Sequence, residues 1–439
     1  MKRDMARECA LRVLAACRMN GAWADGALKE ALRREKLDSR DAAFATNLVY
    51  GVMQNRLYLD RCLSELTVIK KLEPMALDIL RLGSYQLLFL DRVPASAAIN
   101  ESVNLAKAHK LARAAGLINA VLRNLERKKS EILPLHFSSE LEELSVSTSH
   151  PMPLTKRIVG LIGLEEAKAF FHANNAPAPM TVHTNTLKTT SSALCEELLQ
   201  AGVQVEPHPW LADCFHLSMT GNLEALDAFT SGHFTVQDAA AKLTALVAAP
   251  KAGDFVIDTC AAPGGKSFAM AMLMGDKGKI LSCDMEEHKM RILDGGAKRL
   301  GIGSVKAEIA DGRVLREELV EKADVVVCDV PCSGLGIIRK KPDIRYKDLQ
   351  EVRNLPPIQR DILWNAAHYV KPGGTLVYST CTILPEENEA ITDAFVAEHS
   401  DFSYEPFDLP FEKTAGHITL WPQRTGTDGF YIAKLKRKL

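Results

Sequence analysis

The chain has 439 residues, with 54 Lys and Arg against 55 Asp and Glu, and 47% of its residues are hydrophobic. These proportions are typical of folded globular proteins and exclude a disordered, collagen-like or low-complexity chain. At about 150 residues per domain, the length is sufficient for about three domains, each with its own core.

The near-neutral net charge combines two regions of opposite sign. Residues 1–130 carry 23 basic and 14 acidic side chains, a net charge of +9, and the remainder of the chain carries −10. A basic region joined to an acidic one favours a polyanionic partner for the basic part.

Ten cysteines are scattered along the chain, with no CxxC pair and no histidine cluster at zinc-ligand spacing. This distribution argues against a disulfide scaffold, a thiol-redox protein or a metal site, and it favours reduced thiols in a cytoplasm. Glu8 and Arg12 interrupt the first apolar stretch, so a signal peptide is not expected. Apolar runs remain well below the ~20 residues that span a bilayer, so no membrane contact is expected. Together these patterns predict a cytoplasmic protein that binds no metal.

The first part of the sequence has a helical pattern. Between residues 4 and 129, apolar side chains recur at spacings of three and four, as at Leu11, Leu14 and Ala15. The pattern predicts an all-helical domain over residues 1–135, followed by a connector that extends to about residue 153.

The middle of the chain alternates between helical and extended patterns. Helical spacing near residues 154–175 and 192–202 flanks an extended run at 180–187. We therefore predict a small α+β module over residues 150–235.

From residue 236 onward, short β-rich runs alternate with segments of helix length. The runs are 255–260, 279–284, 305–310, 323–330 and 375–380. Strands that are covered on both faces by crossover helices are continuously apolar in this way. Residues 236–439 are therefore predicted to form an α/β domain with a doubly wound, mostly parallel, Rossmann-like sheet, and 417–422 and 429–436 an antiparallel edge pair.

The turn after the first of these strands has the composition of a ligand-binding loop. It contains Gly264 and Gly265, which allow a ligand to approach the backbone, and it precedes a helix N-terminus with free N–H groups. Asp284 ends the second strand, where an acidic side chain commonly binds a ribose diol. Asp311 follows the third strand, where its carboxylate could accept a hydrogen bond from an adenine amino group. Together these residues predict a nucleoside-binding site.

Three ligand classes compete for this loop. A phosphate-binding loop would require glycine at Cys260, and Pro263 removes one of the N–H groups that it would use. The dinucleotide pattern GxGxxG is also absent. A glycine turn with no ligand remains an alternative, and S-adenosylmethionine is favoured because it requires carboxylates and close backbone but no pyrophosphate cradle.

Two cysteines follow neighbouring strands at the same predicted edge of the sheet. Cys332 comes three residues after Asp329 at the end of the fourth strand, and Cys381 ends the fifth. Methylation of cytosine at C5 requires a thiolate that adds to C6, and a second group that assists release of the product. An acid that hydrogen-bonds the base would stabilise the addition. Two thiols and Asp329 match these requirements.

Four motifs resemble those of the RNA cytosine-C5 methyltransferases of the NOL1/NOP2/Sun family. They are CAAPGGKS at 260–267, DVPCSG at 329–334, YSTCT at 378–382 and TDGFYIA at 427–433. The sequences RDAAFATNLVYGV and GLINAVLRNL in the helical region are similar to the NusB-like RNA-binding domain of the bacterial RsmB or Sun branch, whose members act on 16S ribosomal RNA. The resemblance covers nearly the whole chain.

This resemblance implies an S-adenosylmethionine-dependent methyltransferase domain preceded by a small α+β RNA-binding module and a NusB-like domain. It implies that Cys381 is the nucleophile, that Cys332 helps to release the product, and that Asp329 contacts the cofactor side and the target base. The implied partner is 16S ribosomal RNA, free or in early precursor particles. The implied cofactor residues are Cys260, Ala261, Ala262, Pro263, Gly264, Gly265, Lys266, Asp284, Asp311 and Asp329.

One segment departs from the family pattern. His183 and Thr184 stand where an Arg-Val pair is expected before Asn-Thr-Leu-Lys, which weakens an RNA-binding role for this segment. The basic run at 339–347 is a better candidate for phosphate contacts. An alternative function is that of a noncatalytic RNA-binding ribosome assembly factor with a vestigial cofactor pocket.

Overall fold

The computed structural model describes residues 4–20 and 23–439, so residues 1–3 of the predicted helical domain, together with 21 and 22, lie outside the described residues. The chain forms two compact units. One comprises Met1–Ala176 with Ile338–Lys347, and the other comprises Pro177–Ile337 with Asp348–Leu439.

The first unit is helical, as the spacing of apolar residues predicts. Its core is formed by buried side chains from several helices, including Leu11, Leu48 and Leu80. The α-helices described in this unit are α1 (Met5–Asn20), α2 (Ala24–Glu35), α3 (Ser39–Gln54), α4 (Arg56–Ser64), α5 (Pro74–Phe89), α6 (Ala95–Ala108), α7 (Ala112–Ile132), α8 (Glu140–Ser147), α9 (Met152–Ile162) and α10 (Leu164–Asn175). Short 3₁₀ helices are present at Ile69–Lys71 and Pro342–Tyr346.

The predicted connector contains a helix. Helix α8 begins after Ser139, whose side chain accepts a hydrogen bond from the backbone N–H of Glu142. Ser139 is therefore an N-cap residue, and the Ser and Glu residues around it carried a helix-start signal that the expectation of a connector overlooked.

The basic segment 338–347 folds into the first unit, although the residues on both sides of it belong to the second. Arg345 is only 1% exposed, and its Nη1 donates to the carbonyl oxygens of Gln54 at 3.0 Å and Thr148 at 3.2 Å. The hydroxyl of Tyr346 donates to the Met53 carbonyl at 2.7 Å. The expected phosphate contact is therefore wrong for Arg345, because its guanidinium group is directed into the protein.

The second unit begins with a four-stranded antiparallel sheet, whose strands lie side by side in the order Gln204–Pro207, Cys214–Ser218, Met180–Thr184 and Phe234–Val236. Buried Val182, Phe215 and Phe234 pack against Leu194 and Leu198 from the adjacent helix. The elements are β1 (Met180–Thr184), α11 (Ser191–Gln200), β2 (Gln204–Pro207), β3 (Cys214–Ser218), a 3₁₀ helix at Leu223–Ala225, α12 (Asp227–Thr230) and β4 (Phe234–Val236).

The rest of the second unit is built on a mixed eight-stranded sheet. Its strands and helices are α13 (Ala239–Ala248), β5 (Phe255–Asp258), α14 (Gly265–Leu273), β6 (Lys279–Asp284), α15 (Glu287–Leu300), β7 (Val305–Ile309), β8 (Ala323–Asp329), α16 (Leu349–Val352), α17 (Leu355–Ala367), β9 (Val370–Thr380), α18 (Glu389–Glu398), β10 (Phe402–Tyr404), β11 (Phe407–Asp408), β12 (Lys413–Thr414), β13 (His417–Leu420), α19 (Pro422–Thr425) and β14 (Phe430–Arg437). Further 3₁₀ helices lie at Glu317–Leu319 and Pro385–Glu387. Strands β11 and β12 form a separate two-stranded sheet.

The large sheet has the order β10-β14-β9-β8-β5-β6-β7, and β13 also pairs with β14. The five strands from β5 to β9 are parallel to one another, and β14 is antiparallel to β9. The predicted Rossmann-like sheet is confirmed, as is the antiparallel pairing of β13 with β14. Strand β14 is not at the edge, because it pairs with β9 on one side and with β10 and β13 on the other.

Alternate residues of the strands contribute to two separate cores. Val256 packs with Leu243 of α13 and Leu293 of α15, whereas the next residue, Ile257, packs with Leu363 of α17. Helices therefore cover both faces of the sheet, as the continuously apolar strands require.

Among the helices of the described residues, none is both long and apolar enough to pass through a membrane.

Candidate active site

The parallel register brings the ends of five strands to one edge of the sheet. Asp258 at the end of β5 is paired with Ser282 of β6 and with Val327 of β8. Asp329 at the end of β8 is paired with Ser379 of β9. In open α/β sheets, ligands bind beyond the carboxyl ends of such strands, so the predicted loops lie where chemistry is expected.

The glycine loop after β5 is held tightly at its start. The backbone N–H of Ala261 donates to the Cys283 carbonyl at 2.8 Å, and Gly264 N–H donates to the Ala261 carbonyl at 2.7 Å. Gly264 has φ +111°, and a Cβ atom there would lie 2.5 Å from the ring of Phe268. Only glycine fits this position, which brings bare backbone to the N-terminus of α14.

Asp284 and Asp311 lie after the neighbouring strands, and each has local partners. Asp284 accepts hydrogen bonds from the backbone N–H groups of Ala262 at 3.3 Å and Glu286 at 3.1 Å. Asp311 forms an ion pair with Arg313 at 2.7 Å, and this guanidinium lowers the pKa of the Asp311 carboxyl. Both carboxylates therefore stand at the edge where the sequence predicts them.

Burial favours the neutral forms of one carboxyl group and one thiol behind the glycine loop. Asp258 is fully buried, and burial raises its pKa to about 7. Its Oδ2 accepts a hydrogen bond from Ser267 Oγ at 2.7 Å, but its Oδ1 has no partner. Burial also raises the pKa of the Cys260 thiol well above its ordinary value.

Lys266 joins the glycine loop to the end of β8. Its Nζ lies 2.5 Å from Oδ2 of Asp329, while Oδ1 of the same carboxylate accepts a hydrogen bond from Ser379 Oγ at 2.9 Å. The ammonium group also lies 5.0 Å from the ring centroid of Phe430. Lys266 was predicted from the glycine motif alone, and the structure adds its contact with the predicted acid.

The two predicted cysteines meet. Their Sγ atoms are 3.2 Å apart, and both residues are half-buried, free thiols. The contact with Cys381, then burial, then the carboxylates of Glu387 and Asp329 raise the pKa of Cys332 well above its ordinary value. The surroundings of Cys332 therefore favour its S–H form over its thiolate.

Backbone contacts fasten the cysteine loops to the fourth predicted motif. The Gly336 N–H donates to the Cys381 carbonyl at 3.0 Å, and the Gly429 N–H donates to the Gly336 carbonyl at 2.8 Å. A Cβ atom on Gly336 would overlap the carbonyl oxygen of Gly429. The two glycines thus permit a close approach of backbone to backbone beside Cys381.

Several polar residues of the site were missed from the sequence. They are Ser333, Gln359, Thr382, Glu387 and Asn388, all buried around the two cysteine loops. Glu387 lies in the run Pro385-Glu-Glu-Asn-Glu389, a cluster of polar residues soon after Cys381. That clustering was the available signal, but the sequence does not indicate which of its carboxylates is buried.

His183 and Thr184, the two residues that differ from the family pattern, are buried at the end of β1. They are 2% and 1% exposed, and burial, together with the charge of Lys242, lowers the pKa of His183 to about 3. This position therefore presents a neutral, buried imidazole. Within residues 4–20 and 23–439, no group of three His, Cys, Asp or Glu residues could hold a metal ion.

Comparison with protein-family models gives three matches along the chain. Residues 4–127 match the NusB family, residues 150–224 match the ferredoxin-like domain of RsmF/B-like methyltransferases, and residues 245–436 match the 16S rRNA methyltransferase RsmB/F family.

Curated relatives and a solved structure match almost the full length. The probable ribosomal RNA small subunit methyltransferase B of Bacillus subtilis is 35% identical and covers 100% of both chains. The ribosomal RNA small subunit methyltransferase B of Salmonella arizonae is 32% identical over 92% of each chain. The crystal structure of PH0851 is 27% identical, with a TM-score of 0.84, over 100% of this chain and 99% of that one. The chain therefore belongs to the ribosomal RNA small subunit methyltransferase B family of rRNA methyltransferases.

Proposed function

We propose that this protein transfers a methyl group from S-adenosylmethionine to C5 of a cytosine in 16S ribosomal RNA, through a covalent bond between Cys381 and C6. The observation that carries the proposal is the 3.2 Å contact between the Cys332 and Cys381 sulfur atoms. The Lys266–Asp329 ion pair lies at the same edge of the sheet. A noncatalytic assembly factor would have no need for this arrangement.

The residues around the glycine loop fit S-adenosylmethionine. Gly264 has φ +111° and no room for a Cβ atom beside Phe268, so this turn presents bare backbone to a ligand, and Asp284 offers a carboxylate at the end of β6 for the ribose hydroxyls. We assign Cys260 to Lys266, Asp284, Asp311 and Asp329 to this site. When bound there, S-adenosylmethionine supplies an electrophilic methyl group on its sulfonium.

Cys381 is the nucleophile in this proposal. Cytosine C5 is weakly nucleophilic, and addition of the Cys381 thiolate to C6 makes C5 electron-rich enough to accept a methyl group. The carboxylate of Asp329 is held in place by Lys266 and Ser379, and it is assigned to a hydrogen bond with the target base. To reach this site, the base must leave its stack in the RNA.

Cys332 assists release of the methylated base. After methyl transfer, a solvent water takes up the C5 proton, the electron pair of the C5–H bond reforms the C5–C6 double bond, and the bond between Cys381 Sγ and C6 breaks to return the thiolate. The neutral thiol of Cys332 can donate a hydrogen bond to the departing sulfur, 3.2 Å away, and so stabilise the returning thiolate. Loss of Cys332 should therefore slow release more than addition.

The basic helical region and the α+β module are assigned to RNA binding. The first 130 residues carry a net charge of +9, and clustered Lys and Arg provide most of the nonspecific affinity for phosphate. The boundaries 1–135, 150–235 and 236–439 remain predictions, as does free 16S rRNA or an early precursor particle as the substrate.

The identity of the product and the covalent step can be tested together. Purified protein is incubated with tritiated S-adenosylmethionine and deproteinised 16S rRNA, and the digested RNA is analysed by mass spectrometry for 5-methylcytidine. The Cys332→Ala variant should accumulate a protein–RNA adduct that survives denaturant, whereas Cys195→Ala, which alters a half-buried thiol in α11, should not. Methylation at another atom, or binding of the cofactor without turnover, would contradict the proposal.

A further inference from the structure

Glu387 is a buried carboxylate that the proposed chemistry does not use. It is 0% exposed, and three donors hold it. Its Oε2 accepts from the Ser333 N–H at 2.8 Å and from Gln359 Nε2 at 2.9 Å, and its Oε1 accepts from Ser333 Oγ at 2.5 Å. Both of its oxygens are therefore hydrogen-bonded, as a buried polar group requires.

These contacts join the two cysteine loops one residue away from each thiol. Ser333 follows Cys332, and its Oγ lies 2.7 Å from Oγ1 of Thr382, the residue after Cys381. Since Ser333 Oγ donates to Glu387, the Thr382 hydroxyl donates to Ser333. Gln359 also donates to the carbonyl of Pro331 at 3.0 Å, on the other side of Cys332. The backbone on both sides of Cys332 is thus fixed through Gln359 and Glu387.

The charged groups around Cys332 favour its S–H form. The groups that face it are Cys381, the Glu387 and Asp329 carboxylates, and the phenol of Tyr378. The ammonium group of Lys266 forms an ion pair with Asp329. A negative charge on Cys332 would therefore be surrounded by acidic groups. Of the two carboxylates, Glu387 is the one whose side-chain hydrogen bonds all come from the cysteine loops and α17.

We propose, on the basis of the function proposed above, that Glu387 is a positioning residue that decides which of the two cysteines gives up its proton. It fixes the backbone at Ser333 and keeps Cys332 in the S–H form, so that the single negative charge of the pair resides on Cys381. The nucleophile is then the sulfur that receives a hydrogen bond, and the sulfur beside it remains the donor.

Removal of this charge should redistribute the thiolate between the two sulfur atoms. Two thiols whose sulfur atoms are 3.2 Å apart titrate as a coupled pair. The first proton is lost from the sulfur whose thiolate form the surroundings stabilise more. Glu387→Gln retains hydrogen-bonding capacity but removes the charge. A larger share of the thiolate then resides on Cys332, which is not placed as the nucleophile, and a smaller share remains on Cys381.

Thiol alkylation of the full chain tests this inference without RNA or cofactor. The protein is treated briefly with iodoacetamide between pH 7 and pH 10, and peptides that contain Cys332 and Cys381 are quantified by mass spectrometry. We expect Glu387→Gln to raise the ratio of alkylated Cys332 to alkylated Cys381 by about tenfold at pH 8, equivalent to about one pKa unit. A wild-type ratio in this variant would overturn the inference.

Three further variants separate charge from structure. Glu389→Gln removes a nearby carboxylate that accepts from Thr419, and it should leave the ratio unchanged. Ser333→Ala keeps the Glu387 charge but removes one link between the loops, so it should lower kcat while the ratio stays near that of wild type. Glu387→Asp withdraws the carboxylate by one methylene, which should shift the ratio in the same direction as Glu387→Gln by about twofold to threefold. If Glu387→Gln does not fold, the Glu387→Asp ratio decides the matter, and a wild-type value contradicts the inference.

Methyl transfer provides a second readout. Glu387→Gln should lower kcat and displace its pH profile, with KM for rRNA unchanged, because the residue is fully buried. The alkylation ratio does not depend on any methyl transfer. An enzyme that forms 5-methylcytidine with an unchanged ratio would contradict this inference alone, whereas a shifted ratio in a protein that makes no 5-methylcytidine would contradict only the proposed function.

Discussion

Two buried carboxyl groups at the same edge of the sheet are held in different ways. Glu387, behind the cysteine loops, accepts three hydrogen bonds that together engage both of its oxygens. Asp258, behind the glycine loop, accepts one from Ser267 and leaves its Oδ1 without a partner. Burial accordingly raises the pKa of Asp258 to about 7.

Both groups are fully buried, so the difference between them lies in the hydrogen-bond donors that reach their oxygens. A carboxylate that accepts several hydrogen bonds is stable as an anion, whereas one with few donors retains its proton. The cysteine region therefore contains a carboxyl group with both oxygens engaged by donors. The glycine-loop region contains a group that titrates near neutral pH.

The largest effect is expected from Cys381 in the cysteine region. Cys381→Ala removes the proposed nucleophile, so tritium transfer to 16S rRNA should fall by about a thousandfold or more. The control, Cys195→Ala, should retain full activity. Substantial transfer by Cys381→Ala would contradict its role as nucleophile, and Glu387 would then have no thiolate to direct.

The next effect concerns the backbone that supports the cysteine loops. In Gly336→Ala, the new methyl group would overlap the Gly429 carbonyl, which displaces the loop after Cys332 and should lower kcat by about 100-fold. Gly295→Ala is the matched control, because a Cβ there meets nothing within 4 Å in α15. That change should leave activity intact and stabilise the helix by about 0.5–1 kcal/mol. Equal activities of the two variants would show that the close approach is not required.

A third buried charge extends the comparison to the helical unit. Burial lowers the pKa of Arg345 to about 10, and its Nε and Nη2 have no partners. Arg345→Met leaves the Gln54 and Thr148 carbonyls without this donor, which should cost about 1–3 kcal/mol of stability. Hydrogen exchange in peptides from α3 and α8 should accelerate. The exposed Arg353→Met should change stability by less than about 0.5 kcal/mol, and equal exchange in both variants would argue against the role of Arg345.

The smallest effect is a pH dependence from Asp258. The folded pKa of about 7 lies above the usual unfolded value of about 3.9, so the folded protein binds more protons between these values. Stability should therefore decrease as pH rises from about 4 to 7. Asp258→Asn removes this component, and its urea-unfolding free energy relative to wild type should increase by about 1–3 kcal/mol between pH 5 and pH 8. The exposed Asp294→Asn should show a constant difference, and a similar constant difference for Asp258→Asn would contradict the assigned ionisation.

The sequence alone determined the helical first unit, the parallel strands and the positions of the glycine loop, Asp329, Cys332 and Cys381. These features depend on periodicity and on short motifs, and both are local properties of the chain. The small α+β module was predicted for the same reason, since its helices and extended runs alternate visibly.

The tertiary structure decided the features that depend on contacts between distant residues. The meeting of Cys332 with Cys381, the burial of Glu387 against Ser333, and the inclusion of Arg345 in the helical unit each join segments that are separated by tens to hundreds of residues. The same polar residue types also occur in solvated loops, so composition does not distinguish a buried charge from an exposed one. Burial and hydrogen-bond donors, which only the folded chain supplies, determine the chemistry of these groups.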